Sequence, residues 1–361
     1  MEAALAVKND QFSFISDPPP VINCRNGELW ILDDGNVELR PHRPDSNLTH
    51  CLDVDYDSEA TCPEYDKALP EIFSAAKNQK SMVRHWHEFV GYLIQPRRNI
   101  PIIVILLGTG NNGKTQLIRT VIRLMGQALV QAQRVEDLVT NKFVMGSLLG
   151  KRAFVDDDVR AGIRLPDGML KTISEAKEVT GELKFKPHFN FVVRAVPVLL
   201  CNDVPSLADV SHGMLRRLMV IPFDRTFTKA EEDLTLFERI QANEMPGILN
   251  HALRGLARVI NRGHRFKYPA DVERAWGKFL REANPLPDFI AEQCTADVKA
   301  RCLLSDFYRR YRDWAEETGM TMTQQRKSIR RNLEHLGYLV KHGNQGATVY
   351  GLGLKSHHDS E

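Results

Sequence analysis

The 361-residue chain has no C-x-x-C pair, no apolar run approaching twenty residues and almost no net charge. Each absence excludes something. The six cysteines, at positions 24, 51, 62, 201, 294 and 302, are too scattered for a structural zinc site or a disulfide framework, which predicts a reduced, intracellular protein. With no long apolar run and no signal peptide, no membrane span is expected. A formal net charge of +2 is too small to argue for nucleic-acid binding from composition, so any such contact must come from local placement of charge. His85 and His87, two apart, suit one face of a strand or loop rather than a metal pair on a helix.

What is present is enough for several cores: 43% hydrophobic and 26% charged residues over this length predict a soluble multidomain chain. "INCRNGELWILDDGNVELRPHRP" carries two strand-like runs, Glu28 to Leu32 and Val37 to Arg40, around the turn Asp33-Asp34-Gly35-Asn36. From Tyr65 to Leu93 apolar residues recur three and four apart, a helical pattern that ends at "QPRRNIP", residues 95 to 101. An N-terminal α+β module over 1–97 is expected there.

The next stretch, "ILLGTGNNGKTQLIRTVI", runs an apolar strand into a glycine-rich loop and then a helix. It matches G-x-x-x-x-G-K-[ST], a phosphate-binding loop. Glycines let successive N–H groups point at phosphate oxygens, and the following helix adds its positive end. The candidate nucleotide-binding residues are Gly108, Thr109, Gly110, Asn111, Asn112, Gly113, Lys114, Thr115 and Gln116. Lys114 would neutralise β- and γ-phosphates, and the Thr115 hydroxyl would ligate Mg2+.

Such a site needs an acidic strand end, and "LLGKRAFVDDDV" offers one. Ala153 to Val155 read as a strand ending in Asp156, Asp157 and Asp158. One carboxylate can hold Mg2+ and another can orient a water. Counting from the strand favours Asp156 and Asp157; counting from "GKR" favours Asp157 and Asp158. In "AVPVLLCND" a third apolar strand ends at Asn202, whose amide can reach a γ-phosphate or its attacking water. "MLRRLMVIPFDRTF" places Arg216 and Arg217 before a further strand, Leu218 to Phe223, where an arginine at a subunit edge can serve a neighbour's site.

Together "GTGNNGKT", "GKRAFVDDD", "VLLCN" and "MLRRLMVIPFDRTF" resemble the superfamily 3 helicase core of phage and plasmid primase-helicases, a family that includes the poxvirus primase-helicase. "RNGELWI" through "DSEATCP" is similar to the domain before that core, and residues 245 to 263 to its helical segment afterwards. The resemblance implies ATP and Mg2+ as cofactors, a homo-oligomeric ring, usually a hexamer, and DNA in the central channel. It assigns Lys114 and Thr115 to the phosphate loop, Asp157 and Asp158 to the acidic motif, with Mg2+ held by Thr115 and Asp157, Asn202 to the sensor, and Arg217 to a finger acting in trans. Arg217 is preferred to Arg216 because it stands six residues before Phe223. Two departures stand out: Asp156-Asp157-Asp158 replaces small residues ending in one glutamate, and Glu175-Ala176-Lys177 replaces a Gly-Gly-Asp turn.

DNA contacts are expected at two places. In "GELKFKPHF" Leu183 and Phe185 alternate with Lys184 and Lys186, so a strand would bury the apolar pair and project both ammonium groups. Near the C-terminus, Ile329, Leu333 and Leu336 line one helical face, with Arg326, Lys327, Arg330 and Arg331 largely off it. Two strand-like runs follow, Tyr338 to Lys341 and Ala347 to Leu352, a pattern resembling a winged helix.

The expected architecture is therefore an α/β P-loop ATPase core with a parallel sheet over 98–226, a helical segment over 227–285 and a winged-helix-like domain over 286–361. The expected activity is ATP-driven unwinding of duplex DNA in phage or mobile-element replication, with single-stranded and forked DNA as partners and a primase or polymerase as a further one. A loader or switch that hydrolyses ATP without translocating would share these motifs. The expected location is the cytoplasm, that of the host cell for a viral protein.

Overall fold

The computed structural model describes residues 18–207, 211–318, 326–344 and 346–355. The chain divides into two compact units. The first comprises the residues up to Val159, Gly168–Asp203 and Arg217–Ala275; the second comprises Arg160–Asp167, Val204–Arg216 and the residues from Trp276 onward.

The first unit opens with an antiparallel sheet of β1 (Val21–Cys24), β2 (Gly27–Ile31) and β3 (Val37–Arg40), in which Ile31 pairs with Val37 across the expected turn. Strand β1 was not expected; three prolines precede it, and Ile31 N donates to Pro20 O at 2.8 Å. The helical stretch is two helices, α1 (Pro63–Ile72) and α2 (Gln79–Ile94), with Asn78 capping the second by accepting from Ser81 N at 3.0 Å. His85 and His87 lie within α2 and are buried, so their expected strand or loop setting is corrected. The flanking Trp86, Phe89, Val90 and Leu93 fix the helical period, and the imidazoles follow it into the core.

The chain then builds a parallel sheet, β4 (Ile103–Leu107), β5 (Val130–Ala132), β6 (Ala153–Val159), β9 (Val196–Cys201) and β10 (Leu218–Pro222), in the order β10-β4-β9-β6-β5. Every neighbouring pair is parallel. Strands β4, β9 and β10 read as unbroken apolar runs because a parallel sheet is covered on both faces. Helix α3 (Lys114–Met125) follows β4 and stops at Gly126. Between β6 and β9 come helix α4 (Asp167–Ser174) and an antiparallel hairpin, β7 (Glu178–Gly181) and β8 (Phe189–Val192). Helices α5 (Leu236–Asn243) and α6 (Met245–Asn261) follow, then α7 (Ala270–Ala283). Apolar residues from both sides of the 95–101 break, among them Leu29, Trp86, Leu106 and Leu117, share one core.

The second unit holds α8 (Leu286–Gln293), β11 (Cys294–Leu303), α9 (Leu304–Glu317), α10 (Arg326–His335), β12 (Leu339–Gly343) and β13 (Gly346–Leu354), the strands ordered β11-β13-β12. Phe289 anchors its core, with ring centroids 5.1 Å from Phe307 and 5.3 Å from Tyr311. Ile329 and Leu333 are fully buried as expected for one helix face, but Leu336 is 44% exposed, because the helix ends at His335 and the chain has left that face. No helix among the described residues is long and apolar enough to cross a membrane.

Candidate functional site

The glycine-rich loop leaves the C-terminal end of β4 and is held open by its own residues. Gly113 has φ 79° and a Cβ there would lie 2.7 Å from Ile72 Cδ1, so both its conformation and its space require glycine. At Gly108 a Cβ would meet Phe223 O at 2.4 Å. Asn112 is buried; its side-chain amide donates to Phe223 O at 3.3 Å and its oxygen accepts from Lys114 N at 3.3 Å, tying the loop to the end of β10. Asn111, at φ 43°, donates to Glu232 Oε1 at 3.2 Å. Thr115 is half-buried at the start of α3 and Gln116 is exposed.

Lys114 is buried, and its ammonium donates to Gly108 O at 2.9 Å, Cys201 O at 2.8 Å and Asn202 Oδ1 at 3.0 Å. Asn202 therefore stands beside the loop, because β9 lies next to β4 and both end at the same edge. Burial lowers the Lys114 pKa, while the charges of Asp158 and Asp203 act to raise it. Asp203 has no counterpart in the sequence motifs; its position directly after Asn202 was the available signal.

The three aspartates do not follow β6 but lie within it, where the pairing with β9 is irregular between Asp156 and Val159. Their surroundings differ. Asp156 is 1% exposed, accepts from Val135 N at 2.7 Å and from Asp158 N at 3.3 Å, and lies 3.6 Å from Arg134. Burial raises its pKa, partly offset by those backbone hydrogen bonds. Asp157 and Asp158 are exposed. Like the Thr115 hydroxyl, they offer hard oxygen donors, the ligand type that Mg2+ takes.

Arg217 lies at the opposite edge of the sheet. Leu218 pairs with Ile103 at the start of β4, and Ile103 N donates to Arg217 O at 2.7 Å. Four residues of strand, about 13 Å, separate this edge from the loop. The Arg217 guanidinium is buried and ion-paired with Glu175, whereas Arg216 is exposed.

The Lys184 and Lys186 region is not the expected strand. Strand β7 ends at Gly181 and β8 begins at Phe189, leaving 182–188 as the loop at the hairpin tip. Phe185, expected to be buried, has φ 62° and is 92% exposed, and Lys184 Nζ lies 5.1 Å from its ring centroid. Leu183 is also exposed, so the alternation marks a loop with an aromatic tip. In the second unit Arg330 and Arg331 are exposed on α10, and Arg330 pairs with Glu334 at 3.1 Å.

Among the described residues, Cys62, Asp66 and His251 bring ligand atoms within 4.8 Å of one another. His251 uses both ring nitrogens within the protein: Nε2 lies 2.7 Å from Asp66 and Nδ1 accepts from Arg254 at 3.0 Å.

The parallel sheet, the glycine-rich loop at its C-terminal edge and the neighbouring Asn202 fit the core of a P-loop helicase. A family model described as a family of unknown function (DUF5906) matches residues 106–217, and one described as D5 N terminal like matches residues 2–74. Over 318 residues the chain is 21% identical to "Putative helicase L207/L206" of Acanthamoeba polyphaga mimivirus, covering 81% of this chain and 33% of that protein. Over 245 residues it is 23% identical to "Putative helicase 022R" of Frog virus 3 (isolate Goorha), covering 59% of this chain and 24% of that protein. The chain thus spans about a third or less of these relatives. Among solved structures, the apo NrS-1 C terminal region is similar at a TM-score of 0.47 and 12% identity, covering 94% of this chain and 84% of that one. These similarities support a place for the chain in a phage and viral primase-helicase family.

Proposed function

We propose that the chain is an ATP-dependent DNA helicase of the superfamily 3 type, working as a homo-oligomeric, hexameric ring in the replication of a phage, virus or mobile element. One observation carries the reading: Lys114, Asn202 and the acidic strand β6, far apart in sequence, converge on one edge of one sheet. The two relatives named as helicases support it.

In this reading the backbone of residues 108–113 binds the ATP phosphates, and Lys114 exchanges its protein oxygens for β- and γ-phosphate oxygens. Thr115 and Asp157 would hold Mg2+, which would supply neutralisation of phosphate charge there. Asp158 orients the attacking water and Asn202 contacts the γ-phosphate. Arg217 acts on the neighbouring subunit's nucleotide, in keeping with its distance from its own loop. Exposed Lys184, Phe185 and Lys186 meet single-stranded DNA, the lysines through phosphate and the ring by stacking. Helix α10 with β12 and β13 forms a winged helix whose Arg330 and Arg331 contact duplex. A primase or polymerase completes the replication machinery as a separate partner or a fused part.

A mixing experiment tests the shared site. Lys114→Ala lacks a pocket but keeps a finger, and Arg217→Ala lacks a finger but keeps a pocket. Each alone is inactive; mixed, the interfaces that pair an intact pocket with an intact finger regain hydrolysis, a trans arginine contributing about 10³ to 10⁵ in rate. Co-assembled mixtures that stay inactive contradict the reading of Arg217, and Arg216 then enters the same test.

A further inference from the structure

Glu175, Ala176 and Lys177 form the turn between α4 and β7, where the resembled family has Gly-Gly-Asp. Ala176 takes φ 50°, the left-handed region that disfavours a residue with a Cβ. The turn brings Glu175 to Arg217: one oxygen of its carboxylate pairs with the Arg217 guanidinium and the other with the Lys177 ammonium. Arg217 is 4% exposed and the Glu175 side chain 19%, so the pair is largely shielded from solvent. Lys177 stands at the base of the β7–β8 hairpin, its carbonyl accepting from Val193 N at 3.1 Å. A single carboxylate therefore joins the candidate finger to the hairpin whose tip carries Lys184, Phe185 and Lys186.

We propose that Glu175 is a positioning residue that holds the Arg217 guanidinium within its own subunit and releases it when the hairpin moves on DNA. The proposal rests on the reading of Arg217 as a finger for the neighbouring nucleotide. The Arg217 backbone is pinned to β4 through its carbonyl, so the side chain is the part free to change partner. Carboxylate and phosphate both offer oxygen pairs to a guanidinium fork, and the same donors cannot serve both at once. A buried arginine stripped of an anion is strongly disfavoured, so release from Glu175 and capture of the neighbour's phosphate are linked. Strand engagement at the hairpin tip pulls on Lys177 and Glu175 and frees Arg217. DNA then raises hydrolysis at the adjacent interface.

The test is Glu175→Gln in the full chain, which keeps the side-chain shape and removes the charge. Hydrolysis is measured with and without single-stranded DNA, and strand affinity by fluorescence anisotropy. The DNA-free rate is expected to rise toward the stimulated wild-type rate, so that the ratio of the two falls toward one, with strand affinity equal to or above wild type because DNA no longer has to break the pair. Glu175→Asp, which restores the charge, is expected to recover part of the ratio. A wild-type ratio in folded Glu175→Gln overturns the proposal. If Glu175→Gln does not fold, Lys177→Ala decides: it leaves the Arg217 pair intact, and undiminished DNA stimulation in it overturns the proposal, while reduced stimulation supports it. Failure of the underlying reading looks different, since Arg217→Ala would then hydrolyse ATP at the wild-type rate, which removes the proposal with it.

Discussion

The Lys114 ammonium lies 3.0 Å from the side-chain oxygen of Asn202, joining the loop after β4 to the tip of β9. The two residues have separable tasks. Replacing Lys114 by Ala removes the principal cation for the phosphates, and neither hydrolysis nor tight binding of an ATP analogue is expected to remain. Replacing Asn202 by Ala leaves the two carbonyl partners of Lys114 and the loop intact. Calorimetry is expected to show near-normal analogue binding, with turnover lowered by about 10²-fold. Equal losses of binding in both variants would mean that Asn202 shapes the loop and does not act on the γ-phosphate.

The three aspartates divide by burial. Asp156→Ala strips the buried Val135 N–H of its acceptor, which costs about 1–3 kcal/mol and is read as a lower urea midpoint. Asp157→Ala and Asp158→Ala change exposed side chains, so stability is expected to stay within about 0.5 kcal/mol of wild type while Mg2+-dependent hydrolysis is lost. Normal hydrolysis in both exposed variants, with loss in a folded Asp156 variant, would move the catalytic carboxylate into the strand interior.

The glycine-rich loop was legible in the sequence because its chemistry needs consecutive residues: the glycines, Lys114 and Thr115 sit within one turn of chain. Asn202 was legible for a related reason, since a polar residue ending an apolar run marks a strand tip. The register of the aspartates was not, because it depends on an irregular pairing between β6 and β9 that no local pattern announces. Three-residue β5 left too short an imprint to detect. Phe185 was misplaced because its alternation with lysines reads as a strand, while the left-handed φ that turns it outward leaves no mark in a non-glycine residue. The pairing of Glu175 with Arg217 joins residues 42 apart in the chain and belongs to tertiary structure alone.

The hairpin tip makes a prediction that separates its two kinds of contact. Lys184→Ala with Lys186→Ala is expected to flatten the salt dependence of single-strand binding by about 0.7 per lost phosphate contact. Phe185→Ala is expected to weaken binding by about 1–3 kcal/mol while leaving that slope unchanged. Anisotropy titrations at several salt concentrations distinguish them, and a Phe185 variant that binds like wild type would make the exposed ring irrelevant to DNA.

Acid stability provides a test inside the core. Burial pushes the pKa of His85 down to about 4 and that of His87 down to about 3. Unfolded histidine titrates near ~6.5, so below that pH the unfolded chain binds more protons than the folded one. The stability these neutral imidazoles permit is present above ~6.5 and is lost as pH falls toward the folded values. Urea unfolding at a series of pH values is expected to show a shallower loss between ~6.5 and ~4 in a His85→Phe, His87→Phe double variant. An unaltered slope would mean that other groups dominate acid unfolding.

Strand separation tests the central claim most directly. On a forked duplex with one labelled strand, the wild-type chain with ATP and Mg2+ is expected to release that strand, and Lys114→Ala to release none. DNA-stimulated hydrolysis without strand release, under conditions where the ring has assembled, would contradict the helicase reading and make the chain an ATP-driven loader or switch.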